Sequence, residues 1–103
     1  MSNLTFNRND WSGEQLTIPV NRATLQWEQS GYHFKLAEVA NDKNDELGMS
    51  MTTYQCTGSG WSQPLFNIIK FSTSSEWLAV SGDIMIENND PIACAAQMIC
   101  NIV

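Results

Sequence analysis

The chain has 103 residues, 43% of them apolar, with eleven acidic residues against five basic ones and a net charge of −6. A chain of this length is expected to form one domain, residues 1–103, and to bury about 65% of its unfolded surface, enough for a core without disulfide or metal staples. Its basic residues, Arg8, Arg22, Lys35, Lys43 and Lys70, are scattered, which argues against a nucleic-acid backbone as partner, and no apolar run approaches the ~18–20 residues of a membrane span.

The opening Met1–Phe6 is polar and has no hydrophobic leader, so a cytoplasmic location is expected, with export by a route lacking a cleavable signal left open. Residues 3–7 read as a short strand with Leu4 and Phe6 on one face. Asn7 to Gly13 is a turn-rich loop that carries Asp10, Trp11 and Ser12. Gln15 to Val20 reads as a strand with Leu16 and Ile18 inward, and Pro19, which has no N–H to give a ladder, places it near an edge or a strand end. Arg22 to Glu28 alternates, with Ala23, Leu25 and Trp27 inward. Gln29-Ser30-Gly31 then turns the chain into Tyr32, Phe34 and Leu36, which alternate with His33, Lys35 and Ala37. Two alternating runs around a short glycine-containing turn are the clearest hairpin signal in the sequence.

Asn41 to Glu46 is a polar loop. Asp42-x-Asn44-x-Glu46 resembles the start of an EF-hand calcium loop, but Leu47 and Thr53 stand where that loop needs glycine and an acidic residue; it reads as solvated, and no metal site is expected. Leu47 to Cys56 alternates, with Met49, Met51 and Thr53 on one face and Thr52, Tyr54 and Cys56 on the other. Thr57 to Pro64 is a loop carrying Ser59, Trp61 and Gln63. Leu65 to Ser72 is a further strand, and Thr73-Ser74-Ser75 a turn. Trp77 to Ile86 reads as one strand region with Gly82 near its middle, and Asn88-Asn89-Asp90-Pro91 as the turn that follows it.

Two conformations compete for the last stretch. Ile92, Cys94, Ala96, Met98, Cys100 and Ile102 are all apolar, an unbroken period of two that favours a strand with one buried face. Alternatively, Asp90 caps a helix with Pro91 at its first position, and Ile92, Ala95, Ala96, Ile99 and Val103 form its stripe. The strand is preferred. It is apolar on both faces, which suits the middle of a sheet stack or a contact with a second copy. Ile92, Cys94, Met98, Ile99 and Ile102 are therefore the expected self-association surface.

Seven or eight short strands with a turn roughly every ten residues predict an all-β fold, a single antiparallel β-sandwich. A small barrel is the alternative, as is an α+β fold if residues 91–103 are helical. Catalytic chemistry finds little support. His33 is the only histidine, on the face opposite Tyr32 and Phe34, and no nucleophile-elbow pattern surrounds any serine. The three cysteines are an odd number, which fits free thiols, and Cys94 and Cys100 read as small buried hydrophobes. No cofactor is expected, and the protein is read as a non-enzyme.

The residues that point to binding are Trp11 and Trp61. Each sits on a loop rich in small polar residues, with Asp10 and Ser12 beside the first and Ser59 and Gln63 beside the second. An aromatic on a loop can anchor a protein partner, can stack on a sugar ring, or can fold back over the end of the core. The leading expectation is an interaction protein that recognises another macromolecule through its loops, an acidic inhibitor or immunity-type partner of a basic protein. The alternative is a small lectin-like, glycan-binding module.

Overall fold

The computed structural model describes residues 2–8 and 13–102. They form eight strands and one helix: β1 (Ser2–Asn7), β2 (Gln15–Asn21), β3 (Gln26–Gln29), β4 (Tyr32–Asn44), β5 (Met49–Gly58), β6 (Phe66–Phe71), β7 (Trp77–Ser81), β8 (Ile84–Asn88) and α1 (Pro91–Ile102). The strands follow one another in a single antiparallel sheet, in the order of the chain. The expected class is seen: mostly antiparallel β, here one sheet curled into a half-barrel with a short C-terminal helix.

Turn chemistry fixes the hairpins. Gln29 pairs with Tyr32, so β3 and β4 are joined by Ser30 and Gly31 alone. Both have positive φ, 53° and 82°, the requirement of a type I′ turn whose twist matches that of the strands. The region read as one strand, Trp77 to Ile86, is instead β7 and β8. Ser81 pairs with Ile84 across Gly82-Asp83, and Gly82 takes a φ of 57°, which only glycine adopts readily. The strand read over Arg22–Glu28 begins later, at Gln26. Asn21 Oδ1 accepts from the N–H groups of Ala23 and Thr24 at 3.1 and 3.4 Å, an Asx turn that holds Ala23 out of any strand. Leu25 closes this turn at φ 55°.

One face of the sheet is the core. Cross-strand partners share a face, and the register links Val20 to Trp27, Trp27 to Phe34, Leu36 to Cys56, Cys56 to Phe66, and Ile68 to Ala79. All of these are buried. Within the hollow of the curl lies α1, in contact with β7 and β8 on one side and with β1 and β3 on the other.

The strand preferred for residues 92–103 is thus a helix over Pro91–Ile102, and the reason is its burial. Every residue from Ile92 to Ile99 is buried. A helix enclosed on all sides needs no polar face, so the stripe of Ile92, Ala95, Ala96 and Ile99 is joined by apolar residues around it and the composition mimics a doubly buried strand. Local chemistry at its start decides for the helix. Asp90 Oδ1 accepts from the N–H groups of Ile92 at 2.9 Å and Ala93 at 3.2 Å, and Pro91 opens the first turn, where its missing N–H costs nothing.

β1 and β8 do not pair with each other, and α1 spans the gap between them. Gln97, 9% exposed, donates through Nε2 to the Asn7 carbonyl at the end of β1, at 2.9 Å, and accepts from Asn88 Nδ2 at the end of β8, at 3.3 Å. Gln29 does the same from the wall of the sheet: its Nε2 donates to the Ala96 carbonyl at 2.9 Å, and its Oε1 accepts from Trp27 Nε1 at 3.0 Å. Each buried amide thus has its partners, as burial requires.

A third tie lies at the helix start, where Arg22 Nη2 meets Asp90 Oδ2 at 2.6 Å. Burial pulls the Asp90 carboxyl upward. The Arg22 hydrogen bond, the Ala93 and Ile92 amides and the Arg22 charge outweigh it and leave its pKa below the ordinary carboxylate value. A carboxyl depressed in the folded state contributes stability that is complete above its unfolded pKa and is lost as pH falls through its folded one. Asp90→Ala is expected to cost about 1–2 kcal/mol at neutral pH, the worth of an N-cap. Urea unfolding at stepped pH should show the gap between the variant and wild type closing in acid and staying constant above pH 6.

Candidate functional site

The candidate surface is the outer face of the sheet. Beyond the core-facing positions, the register aligns Ala40, Thr53, Ile69, Leu78 and Glu87 in one row across β4 to β8. A second row holds Asp42, Met51 and Phe71. A third holds Gln55, Asn67, Val80 and Met85. Met51, Ile69, Phe71, Leu78 and Val80 are half-buried by their neighbours alone, and Met85 is 63% exposed. An antiparallel sheet with a solvated outer face normally carries polar residues there. These six side chains form an apolar field instead.

Its borders are acidic. Asp42 ends one row and Glu87 another. Beyond Asp42 the hairpin of β4 and β5 projects from the sheet, and on β4 every residue from Ala37 to the Gly48 turn is exposed. A register shift between Glu38 and Ala40 marks a bulge at the base of this ribbon, and such bulges twist a strand edge away from its neighbours. The ribbon carries Asp42, Asp45 and Glu46 against Lys43 alone, while Glu38 at its base pairs with Tyr54 on the opposite face, and Leu47 stands 68% exposed at the tip. Lys70 does not answer these acids on the outer face. Its ammonium donates to the Phe71 and Ser74 carbonyls. Lys35 does share the outer face but lies beyond the Gln55–Asn67 row, paired with Thr57.

Of the side chains expected to bind through loops, Trp61 is half-buried. Its ring lies 4.8 Å from Tyr32 and 5.8 Å from Phe34, centroid to centroid, so it caps one end of the core. Ser59 is tied to the neighbouring hairpin: its Oγ accepts from the His33 N–H at 3.1 Å and its N–H donates to the His33 carbonyl at 2.9 Å. Gln63 is exposed on the same loop. Asp10, Trp11 and Ser12 lie outside the described residues.

No family of known proteins, no curated protein and no solved structure matches this chain.

The expected self-association residues are taken up by the chain itself. Ile92, Cys94, Met98 and Ile99 are at most 1% exposed, and Ile102 packs on the same cluster. While α1 is docked they present no surface to a second copy. The thiols are equally enclosed. All three cysteines are free, and burial pushes Cys56 and Cys94 up to about 12, so neither supplies a thiolate near neutrality. Cys94 Sγ instead donates to the carbonyls of Trp77 at 3.4 Å and Ile86 at 3.3 Å. Among the described residues no group of three or more His, Cys, Asp and Glu side chains could hold a metal ion, and no helix is long and apolar enough to cross a membrane.

The outer-face field went unread in the sequence. The alternation of Met49, Met51 and Thr53, and of Ile69 and Phe71, is plain there. What period-two patterning lacks is the register that sets five strands side by side, which alone turns separate pairs of residues into a surface.

Proposed function

We propose that the protein is a non-enzymatic interaction protein that binds a basic protein partner against the outer face of β5 to β8. The observation that carries this reading is the apolar field of Met51, Ile69, Phe71, Leu78, Val80 and Met85 bordered by Asp42, Glu87 and the acidic ribbon. Interfaces pair a desolvated apolar centre with a polar rim, and complementary charge sets encounter rate and partner choice. A partner that suits this face carries an apolar patch ringed by lysine or arginine. An acidic second copy does not. The chain's net charge of −6 adds long-range attraction for a basic protein that salt would weaken.

The test is affinity capture from source-cell extract with wild type, with Ile69→Ser/Leu78→Ser, and with Asp42→Asn/Glu87→Gln. Asp42→Asn/Glu87→Gln should leave the unfolding midpoint nearly unchanged, whereas Ile69 and Leu78 are half-buried cross-strand partners, so the serine pair should lower it and is used at a temperature where circular dichroism shows it folded. The expected result is a captured protein of high isoelectric point that the serine variant loses. The neutralised variant should bind it more slowly, and raising salt from 50 to 300 mM should weaken wild-type binding. A captured protein that is acidic, or that both variants retain as wild type does, contradicts the proposal.

A further inference from the structure

The sheet ends at β8 with its backbone unanswered. β7 and β8 are joined by Gly82-Asp83 alone, so Ser81 and Ile84 close the hairpin as a hydrogen-bonded pair. Hydrogen-bonded and non-hydrogen-bonded pairs then alternate, and Ile84, Ile86 and Asn88 turn their backbone groups toward β7. Met85 and Glu87 turn theirs the other way, off the sheet. Among the described residues no hydrogen bond reaches these N–H and carbonyl groups. Backbone groups without a protein partner stay in water, and the side chains of Met85 and Glu87 are both exposed. α1 meets β8 from the core side, where Ile84 and Ile86 point.

Elsewhere the sheet guards its edges. β4 runs past the end of β3, and there it carries a bulge between Glu38 and Ala40 and a lysine, Lys43, devices that discourage a further strand. At the end of β1 the Asn7 carbonyl is already taken by Gln97. β8 has no proline, no lysine and no bulge. Its surroundings carry one sign of charge. Residues 71–103 include Glu76, Asp83, Glu87 and Asp90 and no lysine or arginine, and Arg22 answers Asp90 alone of these. A second copy would bring the same acids to this edge, so charge favours a basic strand over self-pairing. Met85 and Glu87 share the outer face, where each ends a row of the sheet.

We propose that the open edge of β8 takes up an extended segment of the basic partner as an added antiparallel strand. Main-chain pairing at Met85 and Glu87 supplies the attachment, and side chains on the shared outer face supply the selection. An apolar residue suits the place opposite Met85, and a lysine or arginine the place opposite Glu87. In the incoming strand these two residues stand two apart, the basic one first. The apolar field of β5 to β8 is thereby continued by one strand. The proposal rests on the outer-face reading for the partner's charge, and adds how that partner is held.

The experiment is an amide-resolved NMR titration of the full chain with the peptide Ac-Ser-Arg-Thr-Ile-Thr-NH₂. In the free protein the Met85 and Glu87 amides should exchange faster than those of Ile86 and Asn88. The peptide should give saturable shifts across Ile84 to Asn88 and slow the exchange of Met85 and Glu87. Methylating the peptide's isoleucine nitrogen, which faces β8, should remove binding, and methylating the central threonine nitrogen, which faces away, should leave most of it. The shuffled peptide Ac-Ser-Thr-Arg-Ile-Thr-NH₂ puts arginine and isoleucine on opposite faces and should bind roughly threefold more weakly, the scale of an exposed ion pair. Met85→Pro deletes an edge N–H without touching the β7–β8 ladder, and should remove binding that Met85→Ala retains. Absence of shifts up to 20 mM peptide overturns the proposal. So does equal binding of the two methylated peptides, equal binding of the shuffled peptide, or protection of Met85 and Glu87 in the free protein. Equal binding by Met85→Pro and Met85→Ala overturns it too. The two readings fail separately: a basic protein captured through Ile69 and Leu78 without peptide binding here removes only the edge, and peptide binding with no such capture removes only the outer-face docking.

Discussion

Met98→Ala is expected to destabilise the protein by about 3–4 kcal/mol, in the upper part of the range for truncating a fully buried methionine, leucine or isoleucine. Met98 is 0% exposed and lies on α1 in the hollow of the sheet, where backbone on every side limits collapse around the space left behind. A small domain has only about 5–15 kcal/mol to lose. The limiting case is a chain ending at Asp90. Ile92, Met98 and Ile99 alone contribute about 5–9 kcal/mol at the usual ~1.5–3 kcal/mol for each fully buried aliphatic side chain, as much as the whole domain can be expected to have. The truncated chain should therefore show no cooperative unfolding transition by circular dichroism. It would leave β1 and β8 as open edges around an uncovered apolar hollow, the arrangement from which strands aggregate.

The second large effect concerns Gly58 and Phe34, which pair across β4 and β5. A Cβ at Gly58 would lie 2.8 Å from Phe34 Cε1 and 2.8 Å from Trp61 Cε3. Phe34 has no room to retreat: it is 1% exposed and stacked on Trp27 at 5.7 Å. Gly58→Ala should cost about 1–3 kcal/mol by overpacking, and Phe34→Ala about 3–5 kcal/mol by loss of a buried ring. The double variant is expected to cost less than the sum by about 1 kcal/mol, because removing the ring makes space for the methyl, and residues in contact couple on that scale. Trp61 stays in the way, so the relief is partial. Strict additivity in urea unfolding would show that the glycine is required for a reason other than this contact.

Much of the sheet was legible from residue order alone. The hairpin around Ser30-Gly31 carried both of its signals, alternation on each side and a turn dipeptide. Leu16, Ile18, Trp27, Phe34 and Leu36 point inward as the alternation implied, while Ala23, expected on the same side, is exposed in the turn before β3. Gly82-Asp83 was an equally good turn signal, yet the apolar residues flanking it concealed the break between β7 and β8. The C-terminal helix was hidden by its own burial. With Ile92 to Ile99 enclosed on every side, the stripe at helical spacing had little polar face to stand out against. The telling signal was local: Asp90 followed by Pro91, a cap and a first helical residue. Pro19 was read as the sign of a strand end, and in the folded chain it stands in the second of eight strands, where pairing to β3 stops. The surface that suggests function was illegible for a different reason. The apolar field across β5 to β8 is made by register, and register belongs to pairs of strands rather than to any one of them.

The apolar C-terminal segment is the core of its own chain, and the proposed partner surface is therefore the outer face of the sheet. Native-state hydrogen exchange at the amides of Ala95 to Cys100 tests this most directly. The account predicts that these amides exchange only through global unfolding, with the same protection at 10 μM and at 1 mM protein. Protection that grows with concentration, or exchange as fast as in the β4–β5 ribbon, would mean that the segment is held by a second copy or is not held at all, and would contradict it.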